Sequence, residues 1–108
     1  HDVTFWSAWD EGRLAGCGAL KTLEPGHGEI KSMRAHPDYR RRGTGQAILD
    51  HLIAMARQRG WQRLSLETGV PDAFLPARRL YEANGFVHCG PFADYREDPF
   101  SVFMTRAI

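Results

Sequence analysis

The stretch Arg40-Arg41-Arg42-Gly43-Thr44-Gly45-Gln46 has the residue types and spacing best suited to chemistry. Behind it, Ile48, Leu49, Leu52, Ile53 and Ala56 recur at helical spacing, so the two glycines fall at a helix N-terminus. The first N–H groups of a helix have no partner inside it and point outward. The aligned peptide dipoles add about half a positive charge there. Gly43 and Gly45 let a bulky anion approach the backbone with no Cβ in the way. The arginines add charge at the same place. Each helix-end contact contributes roughly 0.3–1 kcal/mol when exposed and up to about 2 when partly buried. Several together can hold a pyrophosphate. Two common phosphate motifs do not fit: in GxGxxG the third glycine position holds Ile48, and GxxxxGKS/T is absent.

Other reactive residue types are less organised. His1, His27, His36, His51 and His88 show no metal-ligand spacing, and the adjacent His88-Cys89 suits neither a helix-face nor a hairpin zinc pair, so no metal is expected. Cys17 and Cys89 are too few for a disulfide framework and read as buried small apolar residues rather than nucleophiles. Trp6, Trp9 and Trp61 read as core or cleft wall. The acidic run Asp94-Tyr95-Arg96-Glu97-Asp98-Pro99 is either a substrate-facing loop with a taste for cations or a polar hairpin connection.

Several elements must hold the glycine segment in place. Residues 2–9, 14–23 and 29–35 are rich in β-branched, aromatic or alternating apolar types and read as strands. Asp10-Glu11-Gly12-Arg13 supplies the turn between the first two. Gly16 and Gly18 mark a bulge or a close backbone approach. Pro37 disfavours helix at His36 and ends the third strand. Gly60 stops the first helix, with Arg57 and Arg59 at its negative end. Residues 61–67 alternate as a strand, and 68–72 read as a loop with Asp72 an N-cap. Ala77, Leu80 and Tyr81 mark a second helix that ends at Asn84-Gly85, and 86–89 and 101–105 are the last strands. The order β-β-β-α-β-α-β-β implies an α/β chain of the mixed-sheet, α+β kind, with helices covering a central sheet.

The chain has 108 residues, and 14 Lys+Arg against 13 Asp+Glu give a net charge of +1. One domain over residues 1–108, with a radius of gyration of about 13 Å, fits this length. The near-neutral balance argues against nucleic-acid or membrane affinity, both of which need a strong basic excess. No apolar run of about 20 residues is present to span a bilayer. With no visible leader and two cysteines, a cytoplasmic setting is the expectation.

The pattern Arg40-x-x-Gly43-x-Gly45, after a strand and opening a helix, resembles the acetyl-CoA signature Q/R-x-x-G-x-G/A of the GNAT family of N-acetyltransferases. Met33-Arg34-Ala35-His36-Pro37 looks like that family's strand-to-loop lead-in. Ala77-Arg78-Arg79-Leu80-Tyr81-Glu82-Ala83-Asn84-Gly85-Phe86 resembles its A-x-x-L-Y-x-x-x-G-F helix. Leu66-Glu67-Thr68-Gly69 and the tail from Pro91 look most like a poorly characterised bacterial branch, the YsnE-like proteins.

The resemblance implies a GNAT fold in which acetyl-CoA lies where strands 29–35 and 61–67 splay apart. The pantetheine arm would pair with the backbone of Met33 and Ala35, beside Arg34. The Met33 N–H would face the thioester carbonyl. The pyrophosphate would sit on N–H groups from Arg41, Arg42, Gly43, Thr44, Gly45 and Gln46, with Arg40 opening the motif. Tyr81 matches the family's tyrosine near the sulfur, placed to protonate the thiolate. A primary amine near pKa 10.4 is protonated at pH 7, and removing that proton costs about 4.6 kcal/mol. A carboxylate, or a water it holds, can take the proton. Glu29 stands where some family members carry a catalytic glutamate, and Glu67 is the reserve. Phe74 replaces an asparagine that often contacts the pantetheine.

The implied activity is transfer of acetyl from acetyl-CoA to an amine, on a small molecule or a peptide, by direct attack in a ternary complex. A CoA-binding sensor without turnover shares the motif and is the competing reading. Nucleic-acid binding by the arginines is opposed by the net charge and by the lack of any helix-turn-helix or zinc pattern. Protomer pairing through the last strands is common in the family, which leaves a homodimer as an open expectation. Residues 3–9 would be the fold's second strand. The family's first strand and the two helices after it are then expected to lie outside this chain, which opens on His1.

Overall fold

The computed structural model describes residues 2–39 and 42–108. In chain order the elements are β1 (Val3–Asp10), β2 (Arg13–Glu24), β3 (His27–Ala35), α1 (Thr44–Gln58), β4 (Arg63–Gly69), α2 (Leu75–Ala83), β5 (Val87–Cys89) and β6 (Ser101–Ala107). The expected order of strands and helices holds. The strands form one six-stranded mixed sheet in the order β1-β2-β3-β4-β6-β5. The β3–β4 pair is parallel and the other neighbours are antiparallel.

The apolar stripe of α1 explains its seat. Ile48, Leu49, Leu52, Ile53 and Ala56 are all buried, and they join Leu20 of β2, Ile30 of β3, Leu64 and Leu66 of β4, and Met104 of β6 in one cluster. Tyr81 of α2, Phe86 and Trp61 belong to the same cluster, so both helices are held to the sheet through one core. Burying a side chain such as Leu52 contributes about 1.5–3 kcal/mol. The helix ends as the sequence predicts. Gly60 sits at φ 78°, the Gly60 N–H donates to the Arg57 carbonyl and the Trp61 N–H to the Ala56 carbonyl.

Several boundaries differ from expectation for local reasons. Trp61 serves the helix stop, so β4 begins only at Arg63, and it runs on through Thr68 and Gly69, which pair with Val102 and Ser101 of β6. Asp72 is not the cap of α2. Residues Asp72–Phe74 form a 3-10 turn, and Phe74 precedes the helix with no side-chain cap. Gly16 does mark a close approach: a Cβ there would lie 2.5 Å from the Arg34 carbonyl oxygen.

Candidate active site

Parallel strands β3 and β4 pair over only four positions, from His27 with Arg63 to Ile30 with Leu66. Beyond Ile30, β3 continues through Lys31 to Ala35 along β2 alone, while β4 follows β6. The two strands therefore part at their C-terminal ends, where open α/β sheets place their ligands. The resulting cleft has a volume of about 250 Å³. Glu29, Lys31, Met33, Arg34, Glu67, Tyr81 and Tyr95 are among the residues that line it.

A bulge sets which side chains reach each side of this cleft. Between Cys17 and Ala19 of β2, β3 spends one extra residue, and Ser32 sits at φ 54°. Such a bulge shifts the alternation by one. Before it, Glu29 and Lys31 share a face; after it, Met33 packs with the α1 and α2 core. The Tyr81 hydroxyl lies 3.9 Å from the Met33 Sδ, and its ring meets Phe86 edge-on. Burial pushes the Tyr81 hydroxyl up to about 12. Tyr81 thus keeps its proton throughout the neutral range.

Glu29 is 3% exposed, which is rare for a carboxylate and calls for partners. Two are present. The Tyr95 hydroxyl donates to its Oε2 at 2.5 Å, and Lys31 Nζ lies 3.7 Å from the same oxygen. Glu67 is exposed and accepts a hydrogen bond from Ser101 Oγ at 2.8 Å. Burial holds the Tyr95 hydroxyl well above its ordinary range, and the bond to Glu29 and the charges of Glu29 and Glu67 push the same way.

The N-terminus of α1 carries the glycines. Gly43 precedes the helix at φ 79° with no side-chain cap and, among the described residues, no neighbour within 4 Å of where a Cβ would stand. The Thr44, Gly45 and Gln46 N–H groups open the helix, where no intrahelical acceptor is available. Gly45 has a second duty that the sequence did not reveal, since a Cβ there would lie 3.3 Å from Leu80 Cδ2 of α2. The Gln46 side chain is engaged by Asn84 and Asp50, so only its backbone is free for an anion. The Arg42 guanidinium rests 4.8 Å above the Tyr39 ring. Arg40 and Arg41 lie outside the described residues.

Structure and sequence part at a few other places. Tyr95 is the residue that sequence reasoning missed in its role; only its place in an acidic loop drew notice. In that loop Asp94, Glu97 and Asp98 are exposed, and Asp98 accepts from the Phe100 N–H within its own turn. Cys17 and Cys89 are half-buried, not buried, and Trp9, 64% exposed, lies on the wall of the groove beside α1 rather than in the core. Burial raises the Cys89 thiol, against the pull of Arg63, which makes it a poorer nucleophile. Among the described residues no group of three His, Cys, Asp or Glu could hold a metal, and no helix is long and apolar enough to cross a membrane. A larger groove of about 520 Å³ runs along α1 past Trp6, Tyr39 and His51 and beside the edge strand β1, but none of the residues lining it is a buried carboxylate.

The profile of the Acetyltransferase (GNAT) family matches residues 1–86. The chain is 57% identical over 107 residues to the uncharacterised N-acetyltransferase YsnE of Bacillus subtilis (strain 168), covering 99% of this chain and 71% of that protein. It is 52% identical to the uncharacterised N-acetyltransferase YedL of Escherichia coli (strain K12), covering 98% of this chain and 67% of YedL. A crystal structure from Klebsiella pneumoniae, provisionally assigned as an acyl-CoA N-acyltransferase, superposes with a TM-score of 0.90 at 37% identity, over 98% of this chain and 72% of that one. The chain belongs to the GNAT family. With that membership goes its chemistry: it is an acyltransferase that draws on acetyl-CoA.

Proposed function

We propose that the chain transfers acetyl from acetyl-CoA to a primary amine by direct attack, with Glu29 as base and Tyr81 beside the sulfur. One observation carries the reading. The parted end of β3 and β4 holds a buried carboxylate and a buried, protonated phenol. The chain's own α1 also opens on an uncapped, glycine-preceded N-terminus.

In this reading the pantetheine arm runs along the stretch of β3 that β4 leaves unpaired, next to Met33, Arg34 and Ala35. The Met33 N–H donates to the thioester oxygen as charge develops there. The pyrophosphate rests on the opening N–H groups of α1, with Arg42 nearby, and Arg40 and Arg41 complete the basic run. Glu29 takes the proton of the incoming ammonium, directly or through one water, and the freed nitrogen forms the new C–N bond as the C–S bond breaks.

The burial of Tyr81 and its raised ionisation refine its part. A thiol ionises near pH 8.5, whereas Tyr81 ionises at about 12. Handing its proton fully to the departing thiolate would therefore run uphill. Tyr81 instead donates a hydrogen bond to the sulfur and keeps its proton.

Thiol release from acetyl-CoA tests the function. The purified protein is offered a panel of amines: free amino acids, spermidine and a short peptide with a free N-terminus. Amine-dependent thiol release above the hydrolytic background is the expected result. Acetyl-CoA binding with no release across the panel would convert the assignment to a non-catalytic acyl-CoA sensor.

A further inference from the structure

Glu29 and Tyr95 are 66 residues apart in sequence, yet the Tyr95 hydroxyl donates to Glu29 Oε2 at 2.5 Å. Lys31 Nζ approaches both partners, at 3.4 Å from the Tyr95 hydroxyl and 3.7 Å from Glu29 Oε2. Among the described residues, both contacts to the carboxylate fall on Oε2 and neither on Oε1. Tyr95 belongs to the connection between β5 and β6, which has no regular structure of its own. Aromatic packing fixes it there. Its ring lies 5.4 Å from Phe103 of β6 and 5.1 Å from Phe92, and Phe92 in turn meets His27 at the start of β3. The connection is therefore seated on the Glu29 face of the sheet, and the hydroxyl of Tyr95 is delivered into the cleft.

A carboxylate acting as base needs one oxygen held and the other offered. A side chain with three torsions does not orient itself, and a short bond to an ionised acceptor is among the stronger ways to fix it. We propose that Tyr95 is a positioning residue for acetyl transfer: with Lys31 it pins Oε2 of Glu29 and so presents Oε1 to the incoming amine. This rests on the reading of Glu29 as base. The β5–β6 connection then forms one wall of the acceptor end of the cleft, and its aromatic seat sets the alignment of the base.

The test is a kinetic cycle of wild type, Tyr95→Phe, Glu29→Gln and the double variant. It uses acetyl-CoA and whichever amine of the panel releases the most thiol. Tyr95→Phe keeps the ring packing and removes only the donor. It should lower kcat about tenfold, leave the KM for acetyl-CoA within about twofold, and cost nothing further on the Glu29→Gln background. The other charged groups around Glu29 are unchanged in that comparison: Lys31 on its own strand, Lys21 beside it on β2, and Glu67 on β4.

Lys31→Met provides a second route should Tyr95→Phe melt far below wild type. It removes the other Oε2 contact and should cost about threefold, again only while Glu29 is present. Wild-type kcat in both variants, or a loss that repeats in full without Glu29, overturns the role of Tyr95 and leaves Glu29 standing. Unaltered turnover and acid limb in Glu29→Gln overturn the base reading itself, and the role of Tyr95 with it. A wild type that releases no thiol with any amine overturns both.

Discussion

The two ends of the cleft are built from different materials. The end assigned to the cofactor is backbone: a strand edge from Lys31 to Ala35 and the opening N–H groups of α1 behind Gly43. The end assigned to the acceptor is side chain: Glu29, Lys31 and Tyr95, gathered from β3 and from a connection 66 residues away. Backbone groups lie wherever the fold puts them and tolerate exchange of most side chains. A side-chain constellation holds only while every contributor keeps its partner. Damage should therefore separate cleanly, with turnover lost at the acceptor end and affinity for acetyl-CoA lost at the cofactor end.

Glu29→Gln should show the largest effect. General-base catalysis contributes about 10²–10⁴ in rate, so kcat should fall about a hundredfold or more while calorimetric affinity for acetyl-CoA stays within about twofold. A comparable loss of affinity would show that the two ends are not separable.

Next in size is an alkaline transition carried by Tyr81. Its folded-state ionisation lies at about 12 against an ordinary 10.0. The folded protein therefore holds this proton after the unfolded chain has released it. Stability is fully present below about pH 10 and declines as pH rises toward 12, by about 2.7 kcal/mol at 1.36 kcal/mol per unit. Denaturant melts between pH 8 and 12 should show this decline, and Tyr81→Phe should lack Tyr81's share of it, with the raised Tyr95 hydroxyl supplying a further part. An equal decline in that variant would place the alkaline sensitivity elsewhere.

Gly43→Ala probes the cofactor end. The position is open, but its φ of 79° costs a residue with a Cβ about 1–2 kcal/mol. Relaxation of that strain should swing the first N–H groups out of line and weaken acetyl-CoA binding about tenfold, with kcat at saturation little changed. Gly45 is a poorer probe, since Leu80 lies behind it and a substitution there would also disturb helix packing. Tyr81→Phe should lower kcat about tenfold with unchanged acetyl-CoA affinity. That is the size expected for one lost hydrogen bond to a developing charge, and smaller than the loss of a full proton donor.

The same contrast governs what the sequence revealed. The order of elements, the buried stripe of α1 and the αL stop at Gly60 were legible because each follows from local periodicity and turn chemistry. Gly43 and Gly45 announced an anion-friendly helix end within three residues. The parting of β3 and β4 was expected only through the family resemblance, since the alternation of Leu64 and Leu66 does not say where pairing stops. Tyr95 was not legible as a partner of Glu29. Nothing local links a tyrosine in a polar loop to a carboxylate on a distant strand; only the tertiary seat made by Phe92 and Phe103 does so. Asp72 failed as a cap because a 3-10 turn intervened, a difference of one hydrogen-bonding step that residue preference does not resolve.

The early separation of β3 from β4 has an energetic side as well. Sheets ordinarily confine unpaired peptide groups to their rims, but here they lie between two central strands. The folded chain thus carries a deficit in its middle that an added strand of the right chemistry would repair. A ligand that binds there adds RT ln(1 + [L]/Kd) to the unfolding free energy, about 2.7 kcal/mol at a hundredfold excess over Kd. A ligand seated in the gap would thus add to the stability of the sheet itself, and a melting curve reads it with no acceptor present.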